Sequence, residues 1–274
     1  LDYAIDNAAG TSSIVNVNKW SAMALKMRVL LNRGQNDDYV QCAVLGNMII
    51  NSSPYALEAT TRDIFYTKGL TSKEVMLGIT PQANQGEYYY NTTGNYVKRS
   101  AYYVATAALN DLLAADPRKS WVIGDAGYYK KGFYFIKYNQ PALTTTQLSE
   151  VAYAIRLSEV YLMTAEATVR SGGSTATAKT LLKMVMKNAG VTNFTAVDAA
   201  SAANDVLLQL YYEYVRSFIG EDDQYYFALL RFPLAMVTTL RPTIKSTEQY
   251  IYPVPHSEFT SNPLIGDQNP GYAK

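Results

Sequence analysis

The chain has 274 residues and a formal net charge of +1 with no long run of either sign. That length can bury one large core or two small ones, and the charge balance excludes nucleic acid or an anionic membrane surface as the main partner. The single cysteine excludes a disulfide framework within the chain and a cysteine zinc site.

In chain order, Trp20, Met23, Ala24, Met27, Leu30 and Leu31 recur at helical spacing, and Asn32-Arg33-Gly34 stops that helix. Asp37 or Asp38 can cap the next one, which sets Val40, Ala43, Val44 and Met48 on one side up to Ser52-Ser53-Pro54. Cys42 lies in this apolar pattern and reads as a buried, inert thiol. Residues 19–53 therefore form a first helix hairpin. The pattern changes over residues 54–148, a loop and short-strand region. Glu74 to Thr80 reads as a short strand and Gly132 to Tyr138 as an alternating one, while Gln82 to Gly94, rich in Gly, Asn, Gln and Tyr, reads as a loop.

A second hairpin spans residues 149–190. Its first helix runs from Ser149 to Val169 and breaks at Ser171-Gly172-Gly173-Ser174; its second carries Ala178, Leu181, Leu182, Val185 and Ala189 and ends at Gly190. Further helices occupy residues 200–240, with Leu207, Leu210, Tyr211, Tyr214 and Phe218 on one stripe and an interruption at Gly220. Two hairpins of about 34 residues have the length of tetratricopeptide units and stack as a short superhelical brace, not as a free-standing solenoid. The tail, residues 250–274, is punctuated by proline, asparagine and glycine, which excludes a helix. Ile251, Tyr252, Val254, Phe259, Leu264 and Tyr272 are spaced to pin it onto a core. The fold class is thus mainly α: tetratricopeptide-like hairpins with a loop-rich region containing short β strands, in one domain over residues 1–274.

The aromatic balance points to function. Tyrosine outnumbers phenylalanine 24 to 8, with 2 tryptophans, and a phenol offers a flat apolar face with a polar edge, which suits a sugar ring. Tyr88, Tyr89, Tyr90, Asn91 and Tyr96 crowd a polar loop in which exposed rings supply stacking and amides read hydroxyls. A second cluster is Trp121 with Tyr128, Tyr129 and Lys130. The competing reading folds these rings back onto the hairpins as packing.

Catalysis finds no foothold. His256, the single histidine, has no partner for a metal pair and no nearby cysteine, and there is no G-x-S-x-G elbow, P-loop or dinucleotide fingerprint. A glycosidase needs two facing carboxylates. Glu87, Asp111, Asp125, Glu159, Glu166, Glu221, Asp222 and Asp223 are available, yet nothing in the sequence pairs them. Glu159 and Glu166 share a helix face, a spacing that serves hydrogen bonds between helices. No cofactor and no metal site are expected, and Arg156 and Arg231 are assigned to structure.

The tail also resembles the C-terminal signature of the SusD/RagB family of outer-membrane glycan-binding lipoproteins, through Tyr252, Pro253, Pro255, Glu258, Asn262, Pro263, Leu264, Gln268, Asn269, Gly271 and Tyr272. The run Ala154 to Arg170 is similar to another family block, as is the stretch from Tyr211 to Arg231, although Tyr212-Glu213 and Ser217-Phe218 depart from its pattern. Asp116-Pro117-Arg118 resembles the family's recurrent DPR turn. The resemblance implies capture of oligosaccharides without catalysis and delivery to a TonB-dependent, SusC-like outer-membrane transporter. It also implies a surface-exposed location and a lipid anchor in the precursor, with glycan contacts in the loops away from the hairpins. Family members carry a longer N-terminal part with further hairpins. The chain begins at Leu1 without an initiator methionine, a signal peptide or a lipobox cysteine, so residues 1–18 read as a remnant helix plus a loop of a mature, trimmed or truncated form. The alternative is a helical-repeat adaptor that grips a peptide or protein on its hairpins.

Overall fold

The computed structural model describes residues 1–8, 10, 14–35, 37–80, 104–125, 133–135, 137, 152–262 and 264–273. They fall into two compact units, Leu1–Gln224 and Tyr225–Lys274.

The first unit opens with α1 (Asp2–Asn7), α2 (Lys19–Arg33) and α3 (Asp38–Ser52). Asn18 starts α2: its Oδ1 accepts from the N–H groups of Trp20 and Ser21, each at 3.0 Å, satisfying two of the donors that a helix start leaves free. Gly34 ends it in the left-handed region, φ 58. Neither aspartate caps α3 with its side chain. Asp38 turns back instead and holds the Arg33 guanidinium at 2.8 and 2.6 Å, a charge-assisted fork that outcompetes a neutral cap. Cys42 is buried, as expected, and the side that carries Val40, Val44 and Met48 is the outer one. Cys42, Gly46 and Ile49 face inward, whereas Val40, Val44 and Met48 are exposed, because a helix that is apolar all round carries two candidate stripes.

After α4 (Thr61–Asp63), a π-helical turn (Ile64–Lys68) and a 3-10 turn (Gly69–Thr71), the chain enters β1 (Val75–Ile79). Then follow β2 (Val104–Ala105), α5 (Ala107–Leu112), α6 (Lys119–Val122), β3 (Ile123–Asp125) and β4 (Phe133–Phe135). β5 (Ala152–Arg156) pairs antiparallel with β1, and β2, β4 and β3 form an antiparallel sheet in that order. The expected helix from Ser149 is therefore corrected: residues 152–156 are strand and α7 (Leu157–Arg170) starts only afterwards. Tyr153 and Ile155 are the buried positions of a period-two pattern, and Gly78 and Leu77 are their respective partners on β1.

Buried along nearly its whole length, α7 is the axis of this unit and packs against α3, α8 (Thr175–Asn188) and α10 (Ala203–Phe218), with α9 (Thr195–Ala199) connecting the last two. The two hairpins stack through α3 and α7. They approach so closely at Gly46 that a Cβ there would sit 1.9 Å from Thr164 Oγ1 and 2.8 Å from Met27 Cε. The α10 stripe of Leu207, Leu210, Tyr211, Tyr214 and Phe218 is buried as expected.

The second unit holds α11 (Gln224–Leu230), α12 (Leu234–Leu240), a 3-10 turn (Thr247–Tyr250) and α13 (His256–Ser261). The last corrects the helix-free tail, since Pro255 stands at its N-cap, a place where the missing proline N–H costs nothing. Tyr252 and Leu264 are not pins either, being 83% and 93% exposed.

Gly46→Ala is expected to destabilise the protein by about 1–3 kcal/mol through overpacking at the helix crossing, despite the roughly 1 kcal/mol that alanine gains in helix propensity. Urea denaturation measures it, and an unchanged midpoint would mean that α3 and α7 separate freely.

Candidate functional site

Tyr88, Tyr89, Tyr90, Asn91 and Tyr96 lie outside the described residues, as do Tyr128, Tyr129 and Lys130 and the loop read over Gln82–Gly94. What the structure supplies is the frame that roots them. Segment 81–103 connects β1 to β2, 126–132 connects β3 to β4, and 138–151 connects Lys137 to β5. Ile79 pairs with Ala152 and Val104 with Tyr134. Segments 81–103 and 138–151 are consequently anchored on the same two strand pairs.

Aromatic packing stiffens this frame. The π-helical turn delivers Phe65 and Tyr66; Phe65 stacks on Trp121 at 5.9 Å and meets Tyr153 edge-on at 5.1 Å, and Tyr66 meets Trp121 edge-on at 6.3 Å. The Tyr66 hydroxyl donates to the Trp121 carbonyl at 3.2 Å and the Tyr153 hydroxyl to that of Ile64 at 2.9 Å. Trp121, expected to face a sugar, is thus corrected to a core residue, 7% exposed. Its place in the short α6, directly after the Asp116–Arg118 turn, directs the indole inward onto the π-helical turn.

Beneath the aromatic layer lies a buried ionic lattice. Arg156 holds Glu221 at 2.8 and 2.9 Å, Glu74 at 2.9 Å, the Ser158 hydroxyl at 2.8 Å and the Ser217 carbonyl at 3.1 Å. Lys137 donates to the Ser217 and Ile219 carbonyls at 2.8 and 3.0 Å and to Glu221 at 2.6 Å, while its ammonium lies 4.8 Å from the centroid of Phe65. Burial pushes its amine down to about 8, against the pull of Glu221. A separate cluster centres on Arg118, fully buried, which holds Asp116 at 2.7 Å through two bonds, Glu213 through two more and the Ser217 hydroxyl at 3.0 Å. None of these groups was legible as a partnership in the sequence; only Arg156 was assigned to structure, and the structure agrees.

A third guanidinium, Arg28, donates twice to Glu159 at 2.6 Å and once to the Ala154 carbonyl at 2.7 Å. Asp222 Oδ2 also comes within 2.6 Å of Arg28, but without hydrogen-bond alignment. Burial therefore prevails there and raises the Asp222 carboxyl from 3.8 to about 7, the neighbouring Glu159 charge adding to the rise and Arg28 opposing it. Glu159, Glu166 and Glu221, each offered by the sequence as a hydrolytic carboxylate, are all engaged by cations.

The model of the SusD family matches residues 84–244, more than half of the chain and including both tyrosine clusters. The chain belongs to the SusD family. No curated protein matches it, but solved structures share its fold. A SusD superfamily protein from Bacteroides thetaiotaomicron VPI-5482 is 18% identical with a TM-score of 0.74, covering 98% of this chain and 64% of that one. A laminarin-binding SusD-like protein is 22% identical with a TM-score of 0.75, covering 99% and 67%. Surface glycan-binding protein A from Bacteroides thetaiotaomicron is 19% identical with a TM-score of 0.70, covering 93% and 64%. The chain thus spans a little less than two thirds of the first of these. In this SusD-family chain Glu213 and Ser217 both hold Arg118 of the Asp116–Arg118 turn.

A carboxyl that binds its proton more tightly when folded favours folding below its unfolded value, near 3.8 for Asp222, and loses that contribution as pH rises through about 7. Asp222→Asn is accordingly expected to gain melting temperature relative to the parent chain as pH is raised from about 5 to about 8. Parallel pH profiles for the two proteins would refute the raised value. Replacing Arg156 with methionine should cost about 3–5 kcal/mol in chemical denaturation, since Glu74 and Glu221 keep their burial but lose their shared cation.

Proposed function

We propose that this SusD-family chain captures oligosaccharides or polysaccharide at the cell surface and passes them to a SusC-like, TonB-dependent outer-membrane transporter, holding them by stacking and hydrogen bonds with no bond broken. The observation that carries this reading is the family match over residues 84–244, which contains both tyrosine clusters. Its location would be the outer membrane, through a lipid anchor of the precursor; no helix among the described residues is long and apolar enough to cross a membrane. The proposed contacts are Tyr88, Tyr89, Tyr90, Asn91 and Tyr96 with Tyr128, Tyr129 and Lys130. Trp121 is withdrawn from the set because its ring already has protein on its faces. Absence of catalysis is supported by the engagement of Glu159, Glu166 and Glu221 in ion pairs.

The adaptor reading keeps one observation in its favour. Leu25 and Val29 on α2, with Val40, Val44 and Met48 on α3, leave apolar side chains exposed on the first hairpin. They are aliphatic, which suits a partner helix better than a pyranose ring.

Titration calorimetry against laminarin, soluble starch, mannan and xylan separates the two. Binding to at least one glycan should be insensitive to salt, because the ligand is neutral, and Tyr90→Ala should weaken it by about tenfold, the loss of roughly 1.4 kcal/mol of contact. Failure of every glycan to bind, or release of reducing ends during incubation, would overturn the reading.

A further inference from the structure

Tyr252 is held in place by everything except its own ring. Two carboxamides grip the backbone on either side of Pro253. Gln268 donates to the Val254 carbonyl at 2.9 Å and accepts from the Val254 N–H at 2.7 Å, and Asn269 donates to the Tyr252 carbonyl at 2.7 Å. The clamp is itself fixed, since the Asn269 N–H donates to Gln268 Oε1 at 2.8 Å. Just beyond it Gly271, φ 84, lies so close to Glu248 that a Cβ would fall 2.7 Å from its carboxylate oxygen. Proline after both Tyr252 and Val254 adds its own bias toward extended backbone. The result is a phenol 83% exposed on a rigid support.

The surroundings of the ring are phenolic. Burial raises the Tyr226 hydroxyl, the Tyr252 phenol adds to the rise, Arg241 opposes it, and Tyr272 and Tyr250 add further, so each of these four lies within electrostatic reach of Tyr226. Ile251 is extended, φ −114 and ψ 134, so its side chain and that of Tyr252 leave on opposite sides and do not merge into one apolar patch. A single flat ring with a polar edge suits a pyranose better than a protein surface, which would need a broader apolar area.

We propose that Tyr252 is the stacking platform of a second carbohydrate-binding surface, on the C-terminal unit, with a neutral pyranose unit as its ligand. This rests on the glycan-binding reading above and adds a second point of contact for a long chain, which raises avidity for polymer over short oligosaccharide.

The test compares the full chain with Tyr252→Ala, Tyr252→Phe, Tyr252→Trp and Tyr90→Ala, titrated with laminarin, soluble starch, mannan and xylan and with short oligosaccharides of each. Tyr252→Ala should lose about tenfold or more in affinity for the polymer with an unchanged melting temperature, Tyr252→Phe should retain binding, and Tyr252→Trp should tighten it. If the alanine variant does not fold, the phenylalanine and tryptophan pair decides, and equal affinity of Tyr252→Trp and the parent overturns the proposal. Parental polymer binding by Tyr252→Ala alongside weakened binding by Tyr90→Ala defeats this proposal and leaves the function standing. Absence of glycan binding by the parent chain defeats both. Loss of self-association in sedimentation, with glycan affinity intact, would give the ring to a protein contact instead and likewise overturn the proposal.

Discussion

Arg156 is the constraint on which the first unit depends. One fully buried guanidinium joins the end of β5 to Glu74 ahead of β1, to the last turn of α10 and to Glu221 beyond it. Lys137 enters the same lattice from beyond β4, so two cations face two carboxylates and the buried charges cancel. Both cations also meet carbonyls at the C-terminus of α10, where the helix dipole favours positive charge. Geometry of this quality is needed for buried ions to repay their desolvation. It makes the helical axis and the strands of this unit one object.

Such lattices could not have been read from the chain. Arg28 and Glu159 are 131 residues apart, and Arg118 and Glu213 are 95 apart, so no local spacing betrays them. Elements set by short-range physics were legible. The hairpins follow from a 3.6-residue period broken at Gly34 and near Gly190, both of which adopt positive φ. The start of α7 was misplaced because Ala152–Arg156 is apolar enough to continue a helical stripe, and only pairing with β1 makes it a strand. Trp121, read as exposed, is buried, and Tyr252, read as a pin, is exposed, for a related reason. An aromatic residue advertises contact without saying whether the contact is with the chain itself or with another molecule, and the backbone around each ring decides.

Arg118 ties its own turn to α10 in a similar way. Glu213 and Ser217 sit one turn apart on α10, and the Ser217 hydroxyl donates to Glu213 at 2.9 Å while both receive Arg118. The DPR turn, with Asp116 on its other side, is thereby fastened to the helix that Arg156 and Lys137 terminate. Arg118 and Arg156 thus both grip the end of one helix, meeting at Ser217.

The π-helical turn at Ile64–Lys68 carries a further implication for variation in chain length. Its closing bond runs from the Gly69 N–H to the Ile64 carbonyl, which also accepts the Tyr153 hydroxyl. One residue more than an α-turn is accommodated there, and that surplus sets the azimuth of Phe65 and Tyr66 about the helix. Deleting Thr67 would restore regular winding and turn both rings by roughly 100° relative to the chain that follows, the angular step per residue of an α-helix. Length polymorphism should consequently be scarce in this stretch.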